Sequence, residues 1–461
     1  MEKVNEISAL ETFAITSADT GIMDKGGTRQ FAANRTAVAW AVEGAPDKDG
    51  NDTKSAGTTI SDGGLLTVGA DETNITLTVK AADGGDTAAK AVKVKGWKAS
   101  ADIKDIFGKF PVNGVAYASG GGSGNGIWVA VGGGSSPDGA KLAYSVDGGE
   151  SWTRAAPTPD MNKAKDINKA LNGVVYAGLS DDKKFIAFGK VRLMPSSTDG
   201  EVWTDAKVLT NDVTFESFGG AHDDDNGIFI AAGHIAWPGQ MPQFSAATSG
   251  DGTLWEWTSY PDGGEIEEIQ SSYSPSYNSP YIGYGIAFGS AFGSGTFIVP
   301  LGPDAAIAKT TDGNDMELVA NTEITVGDDT IPAKGYTSDF PSAPPSFKKA
   351  VFAGDQWIVC GGGGFLAFSQ DTEEWTPAAA DVFNNGEITS IASDGGELAI
   401  GGGGGKFATT PLPVSEDSEW TLVTLGDETV KAICYGDGKV IAAGTNGWLT
   451  IAYEETVEKG K

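Results

Sequence analysis

One turn decides the fold of this chain: residues 145–152 read SVDGGESW. The carboxylate of Asp147 can accept hydrogen bonds from the backbone N–H groups that follow it, and glycine tolerates the positive φ of a tight reversal. Partial copies lie at residues 197–203 (STDGEVW), 310–313 (TTDG) and 369–375 (SQDTEEW). A hairpin turn that returns in this way predicts a repeated β-structure.

Apolar triplets mark the same repeat seven times. They lie at residues 128–130, 185–187, 229–231, 297–299, 357–359, 398–400 and 440–442. The aromatic residues that close the repeats are expected to be Trp152, Trp203, Trp257, Trp375 and Trp420, with Met316 at this place in the fourth repeat. Four short strands in about 45 to 59 residues match one blade, so the pattern predicts a seven-bladed β-propeller.

The turn at residues 145–152 resembles the Asp-box of BNR-repeat propellers, which has the pattern Ser-x-Asp-x-Gly-x-Thr/Ser-Trp. In that family the box is structural and lies away from the catalytic face. The resemblance therefore implies a propeller fold and says little about activity.

Residues 13–95 form a separate region of short alternating strands. Phe31, Val38, Trp40 and Val42 alternate with polar or small residues, which is typical of half-buried strands. Residues 24–31, 39–42, 57–61 and 64–70 resemble the bacterial group-2 immunoglobulin-like domain of intimin- and invasin-type adhesins and phage structural proteins. This resemblance implies a spacer or display module without chemistry of its own.

The two patterns together predict an all-β chain. We expect an Ig-like β-sandwich at residues 1–95 and the propeller at residues 96–461. The seventh repeat lacks a closing Trp-Thr strand, so the strand around Trp97 should complete the last blade and remove a free sheet edge. Cys360 and Cys434 fall on different blades and should not be bonded.

Charge excludes several classes of partner. The chain carries 62 Asp and Glu against 32 Lys and Arg, a formal net charge of −30. Such a polyanion should bind neither nucleic acid nor anionic lipid surfaces through general electrostatics. The sequence contains no apolar run of roughly 18–20 residues that would insert into a membrane. The N-terminus lacks the apolar core of a signal peptide, so we expect either a removed leader or assembly in a cytoplasm, as for a virion protein.

Candidate catalytic groups are scarce. BNR propellers include sialidases, whose implied machinery needs three arginines on the substrate carboxylate. This chain has four arginines, Arg29, Arg35, Arg154 and Arg192, and two of them lie in the first domain. A sialidase is therefore not expected. A glycoside hydrolase or lyase acting on polysaccharides stays as the alternative, because 62 acidic residues offer many carboxylate pairs, although none stands out.

Metal and cofactor sites are not expected. His222 and His234 are the only histidines, and no zinc motif is present. Residues 222–225 (HDDD) could hold Ca²⁺ through oxygen ligands, but a solvated acidic hairpin is the favoured interpretation. We predict no catalytic residue, no metal and no cofactor.

Long loops mark the predicted binding face, where blade-to-blade loops and the loops between second and third strands lie together. Loops of more than about a dozen residues are usually functional or disordered. Aromatic and small polar residues in loops provide amphipathic area and adaptable hydrogen bonds. The candidate ligand-binding residues are His234, Trp237, Tyr273, Tyr277, Tyr281, Tyr336 and Asp339. The alternative is that these loops pack over the ring or against a neighbouring copy.

The sequence therefore favours a non-catalytic binding or structural protein of a cell surface or virion. The propeller would be the recognition or assembly module, and the Ig-like domain would be the spacer or attachment module. The expected partner is a glycan or a protein on the propeller loop face.

Overall fold

The computed structural model describes most of the chain in separate ranges. They are residues 12–18, 21–44, 51–120, 126–134, 139–157, 170–178, 183–189, 194–204, 207–208, 214–236, 243–258, 287–291, 294–301, 307–313, 316–319, 324–326, 329–331, 347–378 and 382–453. Contacts divide the chain into two compact units, Met1–Lys98 with Ile451–Lys461, and Ala99–Thr450. The predicted boundary after residue 95 thus falls a few residues before this division.

The described residues of the first unit form two three-stranded sheets and one strand pair. The sheet orders are β2-β6-β5, β4-β7-β8 and β1-β3. The strands are β1 (Ile15–Thr16), β2 (Thr28–Gln30), β3 (Ala32–Ala33), β4 (Ala39–Glu43), β5 (Thr59–Ile60), β6 (Leu65–Thr67), β7 (Thr76–Asp83) and β8 (Asp86–Lys93). Residues of β7 alternate between buried and partly buried, the two-residue period expected when one sheet face covers a core.

The core of the first unit is apolar and continuous. Phe31, Leu66, Leu77 and Val79 are buried together, and Trp40 packs against them while staying partly exposed. Burial of such side chains is the main force that holds small sheets together.

Glu72 is a buried carboxylate with a full set of partners in the first unit. It is fully buried, and its oxygens accept hydrogen bonds from Thr58 Oγ1 at 2.5 Å, Ser55 N at 3.0 Å, Thr73 N at 3.0 Å, and Asn74 N and Nδ2 at 2.9 and 2.7 Å. Burial alone would raise the pKa of Glu72, but these hydrogen bonds to the charged form outweigh it and lower the pKa.

The second unit begins with a short helix and then becomes almost entirely β among its described residues. Strand β9 (Lys98–Ala99) leads into α1 (Ala101–Phe107), which buries Ile103 and Phe107. The bulk of the unit is a series of antiparallel sheets whose strands follow in chain order.

The first three of these sheets have three to five strands. They contain β10 (Val112–Ala118), β11 (Ile127–Gly133), β12 (Ala140–Ser145) and β13 (Thr153–Arg154); then β15 (Leu171–Ala177), β16 (Lys184–Gly189) and β17 (Ser196–Ser197); then β20 (Thr214–Asp223), β21 (Ile228–Ala236), β22 (Gln243–Ser249) and β23 (Leu254–Thr258). Short parallel pairings join β14 (Ala156–Pro157) to β18 (Val202–Trp203) and β19 (Lys207–Val208) to β23.

The following sheets each have four strands. They contain β24 (Ala287–Ala291), β25 (Ser294–Pro300), β26 (Ile307–Thr310) and β27 (Glu317–Leu318); β30 (Phe347–Ala353), β31 (Gln356–Gly361), β32 (Leu366–Ser369) and β33 (Thr376–Pro377); β34 (Ile388–Ser393), β35 (Glu397–Gly402), β36 (Lys406–Pro411) and β37 (Thr421–Thr424); and β38 (Val430–Gly436), β39 (Lys439–Gly444) and β40 (Trp448–Tyr453) with β9. A further hairpin joins β28 (Ile324–Val326) and β29 (Asp329–Ile331).

The predicted apolar triplets all lie on the second strand of a sheet. Their side chains are buried, as for Val129 on β11 and Ile186 on β16. A strand buried on both faces needs a continuous apolar run instead of an alternating pattern. This is why the triplets were visible in the sequence.

The first strands of the sheets form a closed ring. Each of β10, β15, β20, β24, β30, β34 and β38 contacts the first strand of the next sheet, and β38 contacts β10. In the last sheet, β9 is the outer strand beside β40, and Ser100 N donates to Leu449 O at 2.9 Å. Trp97 directly precedes β9.

Neighbouring sheets pack face to face through apolar side chains. Val129 and Val131 of β11 share one cluster with Phe185 of β16 and with Trp203. The thiols of Cys360 and Cys434 are free, and burial raises the pKa of each to about 12. Both therefore belong to the packing of the sheets.

Candidate functional site

The Asp-containing turns are closed by the hydrogen bonds expected from their sequence. Asp147 Oδ1 accepts from Ser145 Oγ at 2.8 Å and from Ser151 N at 3.0 Å, and Gly149 N donates to Ser145 Oγ at 2.9 Å. Trp152 Nε1 donates to Gly149 O at 3.1 Å. The turn thus satisfies its own polar groups and anchors a buried indole.

The same bonds recur at the partial copies of the turn. Asp199 accepts from Glu201 N and Val202 N at 2.9 Å each, and Trp203 Nε1 donates to Gly200 O at 2.8 Å. Residues 369–375 repeat this arrangement around Asp371, and at residues 310–313 Gly313 N donates to Thr310 Oγ1 at 2.9 Å.

The third repeat contains a further turn that sequence analysis missed. Ser249, Asp251 and Gly252 make the same bonds, and Trp255 Nε1 donates to Gly252 O at 3.2 Å. The expected closing aromatic residue was Trp257, which instead lies on β23 in register with Ala247. Trp255 fills the closing position because it stands six residues after the serine, as Trp203 does after Ser197.

These turn carboxylates are structural. Burial would raise the pKa of Asp251, but hydrogen bonds from Leu254 N, from Thr253 and from Ser249 outweigh it and lower the pKa to about 2. The pKa values of Asp147, Asp199 and Asp371 are lowered by hydrogen bonds of the same kind. A carboxylate held in its charged form by its own turn is a poor proton donor.

Six of the described first strands share a second repeated feature, a β-bulge near the strand start. The register shifts at Asn113, Asn172, Phe218, Lys348, Thr389 and Lys431. A bulge leaves its extra residue outside the ladder and redirects the side chain.

Three bulge side chains reach the next sheet. Asn113 Nδ2 donates to Leu171 O at 2.8 Å, Asn172 Nδ2 donates to Ser217 O at 2.9 Å, and Thr389 Oγ1 donates to Val430 O. In each case the accepting carbonyl belongs to the residue directly before the next bulge. The inner ends of these strands are thus cross-linked by side-chain hydrogen bonds, which makes their frame rigid.

A cavity of about 140 Å³ lies inside this frame. Its lining comes mainly from the first strands of several sheets and includes Asn113, Phe218, Lys349, Ser390 and Lys431, together with Phe188 from the second strand β16. Concave sites lined by apolar groups and a few convergent polar groups are the usual form of ligand sites. This cavity is the candidate functional site.

Lys349 and Lys431 give the cavity its charge. Neither ammonium group makes a hydrogen bond or an ion pair with a described residue, and both side chains are partly buried. Burial lowers the pKa of Lys349, Cys360 opposes this effect, and the charge of Lys431 adds to it. Two like charges thus line one small cavity in a chain of net charge −30.

One of the sequence-predicted site residues lies beside this cavity. His234 on β21 is in register with Glu216, its Nε2 lies 4.0 Å from Glu216 Oε2, and its ring stacks on Phe218 with centroids 5.7 Å apart. Phe218 in turn lines the cavity. The other predicted residues lie outside the described part of the chain, namely Trp237, Tyr273, Tyr277, Tyr281, Tyr336 and Asp339.

The acidic run at residues 222–225 forms a hairpin turn. Asp223 accepts from Asp225 N at 2.9 Å and from Asn226 Nδ2 at 2.7 Å, and His222 Nδ1 lies 2.7 Å from Asp224 Oδ1. Within the described ranges, no three His, Cys, Asp or Glu side chains come together as a metal site. No helix in the same ranges is long and apolar enough to cross a membrane.

Comparison with known proteins shows the class of fold. No protein-family model and no curated protein matches the chain. Among solved structures, a catalytically inactive virginiamycin B lyase from Staphylococcus aureus with quinupristin is similar over 77% of this chain and 99% of that chain, with 11% identity and a TM-score of 0.50.

Two further solved structures are similar at lower scores. YCF48 bound to D1 peptide covers 80% of this chain and 97% of that chain, with 14% identity and a TM-score of 0.49. The WD40 β-propeller domain of Doa1 covers 77% and 96%, with 13% identity and a TM-score of 0.46. The likeness to the lyase, together with the four-stranded antiparallel sheets, confirms the expectation of a β-propeller fold.

The lysines of the cavity have no signature in the sequence. They lie on β30 and β38, which are far apart in the chain, and no linear pattern joins them. The repeated Asn-Gly at residues 113–114 and 172–173, each inside an apolar strand, was the available signal, since glycine within a strand often marks a bulge.

Proposed function

We propose that this chain is a non-catalytic binding protein of a cell surface or virion. A seven-bladed propeller would recognise the partner, and a group-2 Ig-like domain at residues 1–95 would act as spacer or attachment module. The observation that carries the proposal is the cavity at the bulged ends of the first strands, where a rigid frame presents Lys349 and Lys431.

The ring of first strands supports seven blades. The sheets that begin with β10, β15, β20, β24, β30, β34 and β38 correspond to the seven repeats, and their Asp-containing turns correspond to BNR boxes. The strand β9 at the edge of the last sheet supports closure by the segment after Trp97.

The carboxylates favour binding over hydrolysis. A glycosidase needs one carboxylic acid whose pKa is raised so that it can protonate the leaving group. The shifted carboxylates of the described residues, such as Asp147, Asp251 and Glu72, have lowered pKa values and serve turns or buried networks. This supports a recognition role for the propeller.

The position of His234 supports a partner on the loop face. Its ring stacks on Phe218 of the cavity wall, and it lies near the end of β21, three residues before Trp237 in the sequence. We therefore place a glycan or protein partner over the cavity mouth and these loops, and self-assembly of the chain through the same loops is the competing outcome.

The test exposes the full chain to a polysaccharide panel and to glycan and peptide arrays. We expect binding without depolymerisation, and loss of that binding in Trp237→Ala, Tyr277→Ala and Tyr281→Ala. Leu422→Ala is the control, because Leu422 is an exposed apolar residue on the outer strand β37. Release of new reducing ends or unsaturated sugars would establish the enzyme alternative, and unchanged binding in the loop variants would contradict the assigned face.

A further inference from the structure

We propose that the central cavity binds one compact oxyanion, a carboxylate or phosphate group, between the ammonium groups of Lys349 and Lys431. The inference deepens the proposed function because it names the chemical group of the ligand that enters the ring. It stands on the position of the two lysines, on their lack of acceptors among the described residues and on the size of the cavity.

Other lysines of the second unit show how the fold treats a cation that serves structure. Lys439 is almost fully buried, and its Nζ donates to Gly148 O at 2.8 Å and lies 3.9 Å from Glu150 Oε1. Lys348 Nζ lies 2.8 Å from Glu387 Oε1. A structural lysine here is therefore paired, which sets the two cavity lysines apart.

The β-bulge at Lys431 also differs from the equivalent bulges of other sheets. At the equivalent positions, Asn113, Asn172 and Thr389 donate hydrogen bonds to the next sheet. Lys431 has no acceptor in the described part of the chain, and its side chain contributes to the cavity wall instead. The position that elsewhere cross-links two sheets thus provides a charge for a ligand.

Electrostatics favours an anion at this place. Withdrawing an ammonium group from water without a partner costs free energy, and a second ammonium group nearby adds repulsion. An oxyanion between the two lysines removes both costs and forms charge-assisted hydrogen bonds. The remainder of the chain is strongly acidic, so anions have few competing sites.

The cavity is large enough for a compact oxyanion. About 140 Å³ holds a carboxylate or phosphate with a few water molecules, each of which occupies about 30 Å³ in the liquid. A larger ligand would insert one anionic terminus or side group between the two lysines and leave its remainder on the loop face.

The test measures binding of inorganic phosphate and of acetate to the full chain by titration calorimetry at constant ionic strength. Acetamide, which has the shape of acetate without its charge, is the ligand control. We expect one saturable site for at least one of the two anions and none for acetamide. The anion that binds more tightly identifies the source as phosphate or carboxylate.

Three matched variants assign the site. Lys349→Met and Lys431→Met should each weaken anion binding about ten-fold, the effect of one lost charged hydrogen bond. Lys348→Met is the control, because Lys348 is the neighbouring lysine and pairs with Glu387 outside the cavity lining. Added anion should also raise the melting temperature of the unsubstituted chain more than that of Lys349→Met.

Two results would overturn the inference: no saturable binding of either anion, or equal weakening by Lys348→Met. Failure here is distinguishable from failure of the proposed function. If the arrays show a partner but neither anion binds, the recognition role stands and the anion site falls. If anions bind but the polysaccharide panel shows turnover, the anion site stands and the non-catalytic role falls.

Discussion

Glu72 in the first unit and Lys349 in the second are both charged groups withdrawn from water, but their surroundings are opposite. Glu72 accepts five hydrogen bonds from Ser55, Thr58, Thr73 and Asn74. Lys349 has no acceptor among the described residues and faces a second lysine. The first arrangement stabilises the charged form, whereas the second leaves a cost that only a ligand or proton loss can remove.

The contrast teaches how to separate structural charge from functional charge in an acidic chain. Lys439 and the turn carboxylate of Asp251 follow the Glu72 pattern, since each has partners supplied by its own surroundings. Lys349 and Lys431 depart from it at a cavity that the sheets leave between their first strands. Four measurements test this division.

The largest effect is expected at Glu72. Glu72→Ala leaves several buried donors without an acceptor and should lower the stability of the first unit by about 3 kcal/mol. Glu72→Gln should cost less, because the amide oxygen still accepts. The measurement is denaturant unfolding combined with hydrogen exchange over residues 12–98. Asp71→Ala is the control at an exposed neighbour, and an equal loss in that variant would break the comparison.

Lys439→Met should also lower stability, here in the second unit. The substitution removes the donor to Gly148 O, a contact made in a buried position, and should destabilise by about 2 kcal/mol. Thermal unfolding of the full chain measures it. A neutral result would mean that a satisfied buried lysine contributes nothing, and the distinction drawn from Glu72 would not extend to lysine.

Lys349→Met, in contrast, should raise the stability of the chain. Methionine has a similar length and no charge, so it relieves burial and repulsion and should stabilise the ligand-free chain by about 1 kcal/mol. Thermal unfolding of Lys349→Met and of Lys439→Met, measured under the same conditions, allows the two lysines to be compared directly. Destabilisation by Lys349→Met would show that the cavity lysine serves packing, and the comparison would fail at its central point.

The smallest effect is expected from acid at the surface turns. Asp251 has a pKa of about 2 in the folded chain against an ordinary 3.8. Its contribution is complete above the ordinary value and is lost as the pH falls towards the folded value. Because the residue is exposed, screening limits the loss to about 0.5 kcal/mol. The free energy of unfolding should fall less steeply between pH 4 and pH 2 in Asp251→Asn than in the unsubstituted chain. Identical pH profiles of the two proteins would contradict the role of this turn.

Sequence predicted the parts of the fold that depend on neighbours in the chain. The turn at Asp147 was recognisable because its hydrogen-bond donors and acceptor lie within eight residues of one another. The apolar triplets were recognisable because a strand that is buried on both faces excludes polar residues. The turn at Asp251 was missed because two tryptophans, Trp255 and Trp257, both fit a loose pattern, and only the hydrogen bond to Gly252 distinguishes them.

The candidate site depends on residues that only the ring brings together. Lys349 and Lys431 appear in the sequence as two of many lysines, and nothing local distinguishes Lys349 from Lys348 beside it. Their difference arises from the bulge, which directs one side chain to Glu387 and the other to the cavity. Among the predicted loop residues, His234 lies on the strand β21 and not in a loop, and its ring stacks on Phe218 of the cavity wall.

The glycines of the Asp-containing turns have a consequence for how such a chain can grow. A Cβ atom on Gly200 would lie 2.8 Å from Val129 Cγ2, on Gly252 2.4 Å from Ile186 Cδ1, and on Gly313 2.9 Å from Ile230 Cδ1. Each of these three turns packs on the second strand of the preceding sheet, so the sheets that begin with β15 and β20 each carry both a packing strand and a turn. Tandem duplication of either sheet in the gene would copy both halves of this joint.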